Sequence, residues 1–529
     1  LVHRGTVADG TSQEGIDMGV GNVESAGLWT LARTHPHELA LADDRRQLTR
    51  SAVAEEVNRS ANALLALGLA PDARIAVFAE NSAETVMLYT AARVAGVGAV
   101  VVNFHLGGEE LEYILEKSES VVVWVDATTV GVALEAATRV GGVTVVSTGP
   151  PLEGTISWES LVGEADPTTP SLERPATFEL VFTSGTTGYP KAVRNPPAPP
   201  GTVRELLTNL SANPLSRGGP HLTVGPLYHS GPHSAAVGAL LSGSPLVVLG
   251  RFDAEATLRA IQQYEIATTI MVPTHFVRML ALPTEVRERY DVSSLTLVGH
   301  TGSSCPVSVK AAMIEWFGPV LLEAYGSTEA GTVASITSEE WLLHPGSVGR
   351  VADGYGVTVV DEDGETVGPG TEGRLCFSAP GGRMIKYHDD TEAAKEAYVR
   401  PSLFTIGEIG WVDEDGYIYI TDRLKDMVVS GGANIYPAEC ERVLLDHPGV
   451  LDAAVFGIPD PEMGERLIGL VVARQPGLRA EELVDYARNR LAHYKVPRTI
   501  ELVDDIPRSA MGKINKRQIR DWYLEDSEA

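Results

Sequence analysis

The amino-acid sequence predicts an α/β protein: a large N-terminal domain of layered α/β subdomains with a β-rich subdomain, followed by a small α+β C-terminal domain. Three observations carry this expectation. From about residue 26 to 250, helical stretches alternate with short runs rich in Val and Ile, the pattern of largely parallel strands covered by helices. After about residue 345 short strands meet at Asp-Gly turn signals, and from about Asp426 a small strand-and-helix unit follows. A length of 529 residues also exceeds what one hydrophobic core serves, so two or more domains are expected.

Taken in order, helical stretches are expected at Leu48–Leu67 and Ser82–Val94, and strands at Arg74–Phe78, Gly98–Val102, Ser120–Val125 and Val143–Ser147. The alternation continues through strands at Leu246–Leu249, Thr268–Val272 and Leu295–Val298. Asp363-Gly364 stands between Val357–Val360 and Glu365–Val367, and Asp415-Gly416 precedes the alternating Tyr417-Ile418-Tyr419-Ile420. Both read as β-hairpins. In the C-terminal unit, helices are expected at Pro437–Leu445 and Ala480–His493, with strands near Val450–Phe456 and Leu467–Ala473.

Composition excludes several functions. Lys and Arg total 42 against 70 Asp and Glu, a net charge of −28 that repels nucleic acid and anionic membranes. It repels phosphate-bearing ligands too, so a site for one needs local donors. Cys305, Cys376 and Cys440 form no CxxC pair, which argues against a disulfide framework or structural zinc and for a reducing, cytoplasmic setting. The most apolar run, Ala235–Leu249, is interrupted by Gly238, Gly243 and Pro245 and reads as buried core rather than a membrane span. The N-terminus lacks the basic start and apolar stretch of a signal peptide, and residues 1–20 read as a polar, Gly-rich tail.

The strongest local signal is Leu180-Val181-Phe182-Thr183-Ser184-Gly185-Thr186-Thr187-Gly188-Tyr189-Pro190-Lys191. A short apolar strand enters a loop of glycines and hydroxyls, expected to be a strand-to-helix turn near residue 185. Glycines let backbone N–H groups converge on an anion, hydroxyls add donors, and Lys191 adds charge. A Walker loop is excluded because the GK[ST] ending is missing. The competing reading is a Ser/Thr/Gly surface loop, which the full word TSGTTG-x-PK disfavours.

This word resembles that of the ANL superfamily of adenylate-forming enzymes, in its acyl-CoA synthetase branch, and the other family words follow in order over nearly the whole chain. The resemblance implies that Thr183, Ser184, Gly185, Thr186, Thr187, Gly188 and Lys191 wrap the β- and γ-phosphates of ATP. His229 in Pro226-Leu227-Tyr228-His229, at the end of an expected strand, would lie beside the acyl carboxylate. A lone His is more often a satisfied core or surface residue. In Glu323-Ala324-Tyr325-Gly326-Ser327-Thr328-Glu329, Tyr325 would stack on adenine, Thr328 would meet the α-phosphate, and Glu329, with Thr186, would hold Mg²⁺. Glu323, Ala324, Gly326 and Ser327 complete that nucleotide-binding word, whose bare pattern also fits a helix start. Gly302-Ser303-Ser304 would border adenine and the acyl pocket.

Further on, Glu408 stands where relatives have Asp, the ribose ligand, and its extra methylene moves the carboxylate about 1.5 Å outward. Ile420 and Arg423 would contact the nucleotide, and Lys425 would be the hinge, which implies a mobile C-terminal domain at 425–529 after an N-terminal domain at 22–424. Gly431 and Gly432 would line the pantetheine tunnel of coenzyme A, and Lys513 would bridge the carboxylate and α-phosphate. Ala192 replaces a Gly common in relatives. The implied partners are a small-molecule carboxylic acid and coenzyme A, with neither nucleic acid nor a membrane span, and a homodimer is within the family's range. The stretch from Gly299 through Cys305 to Pro319 resembles the branch handling fatty, aryl or bulky alicyclic acids. Three other readings compete: an enzyme with impaired adenylation that thiolates a ready-made acyl-adenylate, an acyl-AMP ligase loading a carrier protein, and a non-catalytic acyl- or nucleotide-binding module.

Overall fold

The computed structural model describes residues 27–69, 73–149, 152–183, 191–195, 201–216, 219–379, 397–430, 433–461, 463–508 and 514–528. It is a mixed α/β structure with three sheets. The seven-stranded sheet runs, across its width, Ile156–Ser157, Thr144–Ser147, Ser120–Val125, Arg74–Phe78, Gly98–Val101, Glu179–Thr183 and Lys191–Asn195. Every neighbouring pair is parallel except the last. All five residues of Arg74–Phe78 are buried, as befits a parallel strand covered on both faces.

The large sheet has fifteen strands. Its parallel part is ordered Leu246–Val248, His221–Thr223, Thr268–Met271, Leu297–His300 and Leu321–Ser327. It continues antiparallel through Gly331–Thr337, Ser347–Val351, Ile418–Arg423, Glu408–Val412 and Gly373–Ser378. Between the two sheets lie the helices Ala83–Ala95, buried at every residue but Glu84, and Ser230–Ser242. Their side chains share one core with Leu41, Ile75 and Val101. Helices apolar on all sides belong inside. Within this layer Arg93 pairs with Glu179, and His233 Nε2 stands 2.9 Å from the same carboxylate. Burial pushes the Glu179 carboxyl up, but Arg93 and His233 outweigh it and hold the group below its ordinary value.

The third sheet is built from residues 428–503. Gly464–Ala473 pairs antiparallel with Val450–Asp460 and parallel with Thr499–Val503. Strand alternation splits its core: Val455, Leu467 and Val471 pack with Cys440, Leu444 and Leu483, while Phe456, Ile468 and Leu470 pack with Ile519. No helix among the described residues is long and apolar enough to cross a membrane.

Several expectations are corrected. The strand Glu179–Thr183 leads into a second strand, Thr183 opposite Lys191, so the turn near residue 185 joins strand to strand rather than strand to helix. The Tyr325–Glu329 word starts no helix. It is the turn of a hairpin between Leu321–Ser327 and Gly331–Thr337, and a Cβ on Gly326 would come within 2.0 Å of the Gly331 carbonyl, so only glycine fits. The strand before His229 ends at Thr223, and His229 instead occupies the N-cap of the helix Ser230–Ser242. Glu365–Val367 shrinks to one bridge, Val360 to Thr366, because Gly368-Pro369-Gly370 breaks it and Gly373–Ser378 takes the pairing edge. The Asp415-Gly416 hairpin forms, with Gly416 at φ 84°. Leu295 closes a turn onto Val292, which delays the next strand to Leu297–His300. Helix Ala480–Arg488 stops at Asn489, and a 3-10 turn, His493–Lys495, delivers Val496 extended before Pro497.

Candidate active site

The chain leaves His221–Thr223 for Leu246–Val248 on one side, while it leaves the other neighbour, Thr268–Met271, for Leu297–His300 on the opposite side. Such a switch point opens a crevice at the C-terminal ends of the strands. Three of the sequence words follow neighbouring strands to this one edge. Pro226–His229 comes after His221–Thr223, Thr301–Ser304 after Leu297–His300, and Thr328–Glu329 after Leu321–Ser327. The seven-stranded sheet brings its own C-terminal edge here. Phe104, just past Gly98–Val101, packs edge-on against Tyr228 at 5.3 Å. Asn81, just past Arg74–Phe78, donates to the Gly225 and Leu249 carbonyls at 3.0 and 3.3 Å and accepts from the Leu227 N–H at 2.8 Å.

At the His221–Thr223 end of the crevice, His229 is half-buried, its ring 4.4 Å from that of Tyr228, and its carbonyl accepts the His233 N–H as the helix begins. The Tyr228 hydroxyl is buried without a hydrogen-bond partner among the described residues, and burial pushes its pKa up. Gly302 takes φ 95°, turning the chain between His300 and the half-buried Ser303 and exposed Ser304.

At the Leu321–Ser327 end, Tyr325 donates its hydroxyl to Glu408 Oε2 at 2.9 Å, and Arg423 Nε stands 3.6 Å from the other oxygen. Glu408 is 6% exposed while the Arg423 side chain is 45% exposed, so the pair runs from core to surface. Burial first, then the Glu408 charge, holds the Tyr325 phenol well above its ordinary value, keeping it a donor. Tyr325 and Ile420 pack on one apolar cluster with Val333, Phe377 and Phe404. Thr328 and Glu329 are partly exposed in the turn. Ser327 uses its hydroxyl to accept the Ala330 N–H, closing that turn, and Ala324 is half-buried opposite Ser335.

The Glu323 carboxylate accepts from Lys310 Nζ at 2.6 Å, with His300 Nε2 at 3.7 Å, and Lys310 is completely buried. Burial pushes the Glu323 carboxyl up, with Lys310 opposing. Neither ring nitrogen of His300 has a hydrogen-bond partner among the described residues, and burial, reinforced by Lys310, keeps that imidazole neutral. The Glu323 side chain thus pairs with the helix Val307–Phe317.

The residue pattern of the AMP-binding enzyme family matches residues 28–388, and that of the AMP-binding enzyme C-terminal domain matches 439–513. The chain belongs to the AMP-binding enzyme family. It is an adenylate-forming enzyme of the ANL superfamily. Indoleacetate–CoA ligase of Aromatoleum aromaticum is 32% identical, over 92% of this chain and 96% of that protein. Fatty acid–[acyl-carrier-protein] ligase ScoC of Streptomyces coeruleorubidus is 30% identical, over 94% and 95%. The ATP-bound crystal structure of MatB from Rhodopseudomonas palustris aligns with a TM-score of 0.78 at 26% identity, over 94% of this chain and 99% of that one.

Other residues of the AMP-binding word set sit at the edges of this crevice or beyond the described chain. Thr183 ends its strand and Lys191, half-buried, opens the next, so the two form the stem of the glycine- and hydroxyl-rich word. Ser184, Gly185, Thr186, Thr187 and Gly188 lie outside the described residues, as do Gly431, Gly432 and Lys513. The flanks of Lys513 are fixed: Arg508 bridges to Ile514 and is held by Asp452 at 2.5 Å. Lys425 is exposed in the single turn Leu424–Asp426. Beside it, Asp422 accepts the Ala438 N–H at 2.8 Å, capping the helix Pro437–Leu445 from outside. No group of three or more His, Cys, Asp or Glu that could hold a metal ion occurs among the described residues, and the partly exposed Glu329 carboxylate is an oxygen donor of the kind that Mg²⁺ takes together with phosphates and water. Asn81, Lys310 and Asp422 were missed by sequence reasoning. Asn81 had a signal, since a polar residue just past the C-terminal end of a buried parallel strand stands at the edge where ligands bind.

Proposed function

We propose that this enzyme converts a hydrophobic carboxylic acid, of the fatty, aryl or bulky alicyclic class, to its coenzyme A thioester through an acyl-adenylate. The observation that carries the reading is the Tyr325–Glu408–Arg423 contact at the same strand edge as His229. An aromatic face and a buried carboxylate suit a nucleoside, and His229 suits the acid's head. The acid's carboxylate oxygen attacks the α-phosphorus, and pyrophosphate leaves. The thiol then adds to the acyl carbon as its proton departs, the acyl C–O bond breaks, and AMP leaves.

Catalysis of the first step is placement and charge stabilisation. We assign Thr328 to the α-phosphate, Glu329 and Thr186 to the Mg²⁺ site, and residues 183–191 to the β- and γ-phosphates. Bound Mg²⁺ supplies charge neutralisation on the phosphates. Lys513 delivers a cation to the reacting carboxylate, and Gly431 and Gly432 flank the thiol's approach. Lys425 is the hinge between domains at 22–424 and 425–529. Glu408 supports nucleotide binding despite its extra methylene, because Tyr325 fixes its carboxylate. That favours two working half-reactions over an enzyme that only thiolates.

A carrier-protein thiol is the competing acceptor, favoured by the likeness to ScoC. A cytoplasmic setting is supported by three free cysteines. Acid, ATP and Mg²⁺ with either coenzyme A or a phosphopantetheinylated carrier should give AMP and thioester chiefly with coenzyme A. Preference for the carrier would replace the acceptor, and no acid-dependent AMP with either would reject the reading.

A further inference from the structure

We propose that Asn81 is a positioning residue for the acid half of the site, holding the turn that presents His229. The proposal rests on the reading that His229 meets the acid's carboxylate.

Asn81 follows a strand of one sheet, and the side-chain hydrogen bonds it makes among the described residues run to loops of the other. It is 9% exposed and directly precedes Ser82, whose hydroxyl accepts the Thr85 N–H and caps the buried helix Ala83–Ala95. Its backbone is therefore fixed to the most buried helix of the molecule. Its side chain reaches across the seam. Nδ2 donates to the carbonyls of Gly225 and Leu249, which follow the adjacent strands His221–Thr223 and Leu246–Val248, and Oδ1 accepts the Leu227 N–H two residues before His229.

These three bonds use both amide protons and the amide oxygen. Only a side chain that donates and accepts at once can hold both ends of this turn. Asp would keep the Leu227 bond but set a carboxylate against two carbonyls. The turn's own bond, His229 N–H to the Pro226 carbonyl at 3.1 Å, closes it without anchoring it to either sheet. Across the seam Asn81 thus supplies a hydrogen-bonded link between a rigid helix and the loop bearing His229, beside the apolar contact of Phe104 with Tyr228. A misplacement of about 1 Å in such a loop is enough to cost large factors in rate.

The test measures acid-dependent pyrophosphate release by the full chain with Asn81→Ser, Asn81→Asp, His229→Ala and the double variant Asn81→Ser/His229→Ala, acid and ATP being varied separately. The result expected is a rise of about tenfold in the acid KM for Asn81→Ser, with the ATP KM changed by less than about twofold. Asn81→Asp should be at least as impaired. In the His229→Ala background, Asn81→Ser should add less than about twofold, because the group it positions is gone. Equal effects on acid and ATP, or factors that multiply in the double variant, would overturn the positioning role while leaving the site reading intact. So would both Asn81 variants failing to fold. A His229→Ala enzyme with unchanged acid KM, or a wild type releasing no pyrophosphate with any acid, would overturn the site reading and this proposal with it.

Discussion

Tyr325 donates its phenol hydroxyl to the Glu408 carboxylate at 2.9 Å, joining residues 83 positions apart in the sequence. One sits in the parallel part of the large sheet and the other in its antiparallel extension, so the bond ties the two parts of the sheet together. Tyr325→Phe keeps the ring and deletes only this bond. The ATP KM should rise about fivefold with the acid KM unchanged, whereas Glu408→Ala should lower adenylation about a hundredfold. Acid-dependent exchange of pyrophosphate into ATP measures both. Equal loss in the two variants would mean the phenol does more than orient Glu408.

Lys310 and Glu323 pair beneath the same strand, with Lys310 fully buried. Lys310→Met leaves a buried carboxylate unpaired and should cost roughly 3–5 kcal/mol, while Lys310→Met with Glu323→Leu should recover most of it. Denaturant titration of the three proteins checks this. A double variant no better than the single would show that packing, not charge, dominates.

Acid should weaken the fold before the carboxylates titrate. Burial lowers the His221 pKa from 6.5 to about 4, and burial with Arg278 lowers that of His275 to about 3. A depressed folded-state pKa means the unfolded chain binds the proton more readily, so stability rises with pH. The contribution is fully present above the unfolded value of 6.5 and is lost as pH falls toward 4 and below. For His221 it amounts to roughly 3 kcal/mol. His221→Gln should flatten the unfolding midpoint between pH 6.5 and 4, and an unchanged pH slope would remove His221 from the account.

Asp422 accepts the Ala438 N–H just across the Lys425 turn, and burial raises its pKa despite the opposing charge of Lys516. Asp422→Ala removes a cap worth about 1 kcal/mol. Because the contact bridges the proposed hinge, trypsin cleavage at Lys425 should speed up several-fold. Unaltered cleavage would indicate that the hinge is held by other contacts.

Much of the fold was legible because its elements announce themselves locally. Arg74–Phe78 and Ser120–Val125 are found where expected, since buried parallel strands are unbroken apolar runs. Helix Pro437–Leu445 is marked by Pro at its first position. Pro226–His229, Thr301–Ser304 and Thr328–Glu329 stand out in the sequence for a related reason: each is a contiguous segment after one strand. What the sequence concealed is which side chain braces which loop. Asn81 meets Leu227 across 146 positions, and the Lys310–Glu323 bond depends on how the helix Val307–Phe317 lies against the sheet. The expected helix start at Tyr325 failed because Gly326 permits a hairpin too tight for any other residue.

The central claim is an acyl-adenylate, and the fate of the carboxylate oxygens tests it most directly. The acid is supplied with both oxygens isotopically heavy, together with ATP, Mg²⁺ and coenzyme A, and the products are weighed by mass spectrometry. Attack on the α-phosphorus followed by thiol attack on the acyl carbon predicts one heavy oxygen in AMP and one in the thioester. Heavy oxygen in inorganic phosphate, with ADP in place of AMP, would contradict the account.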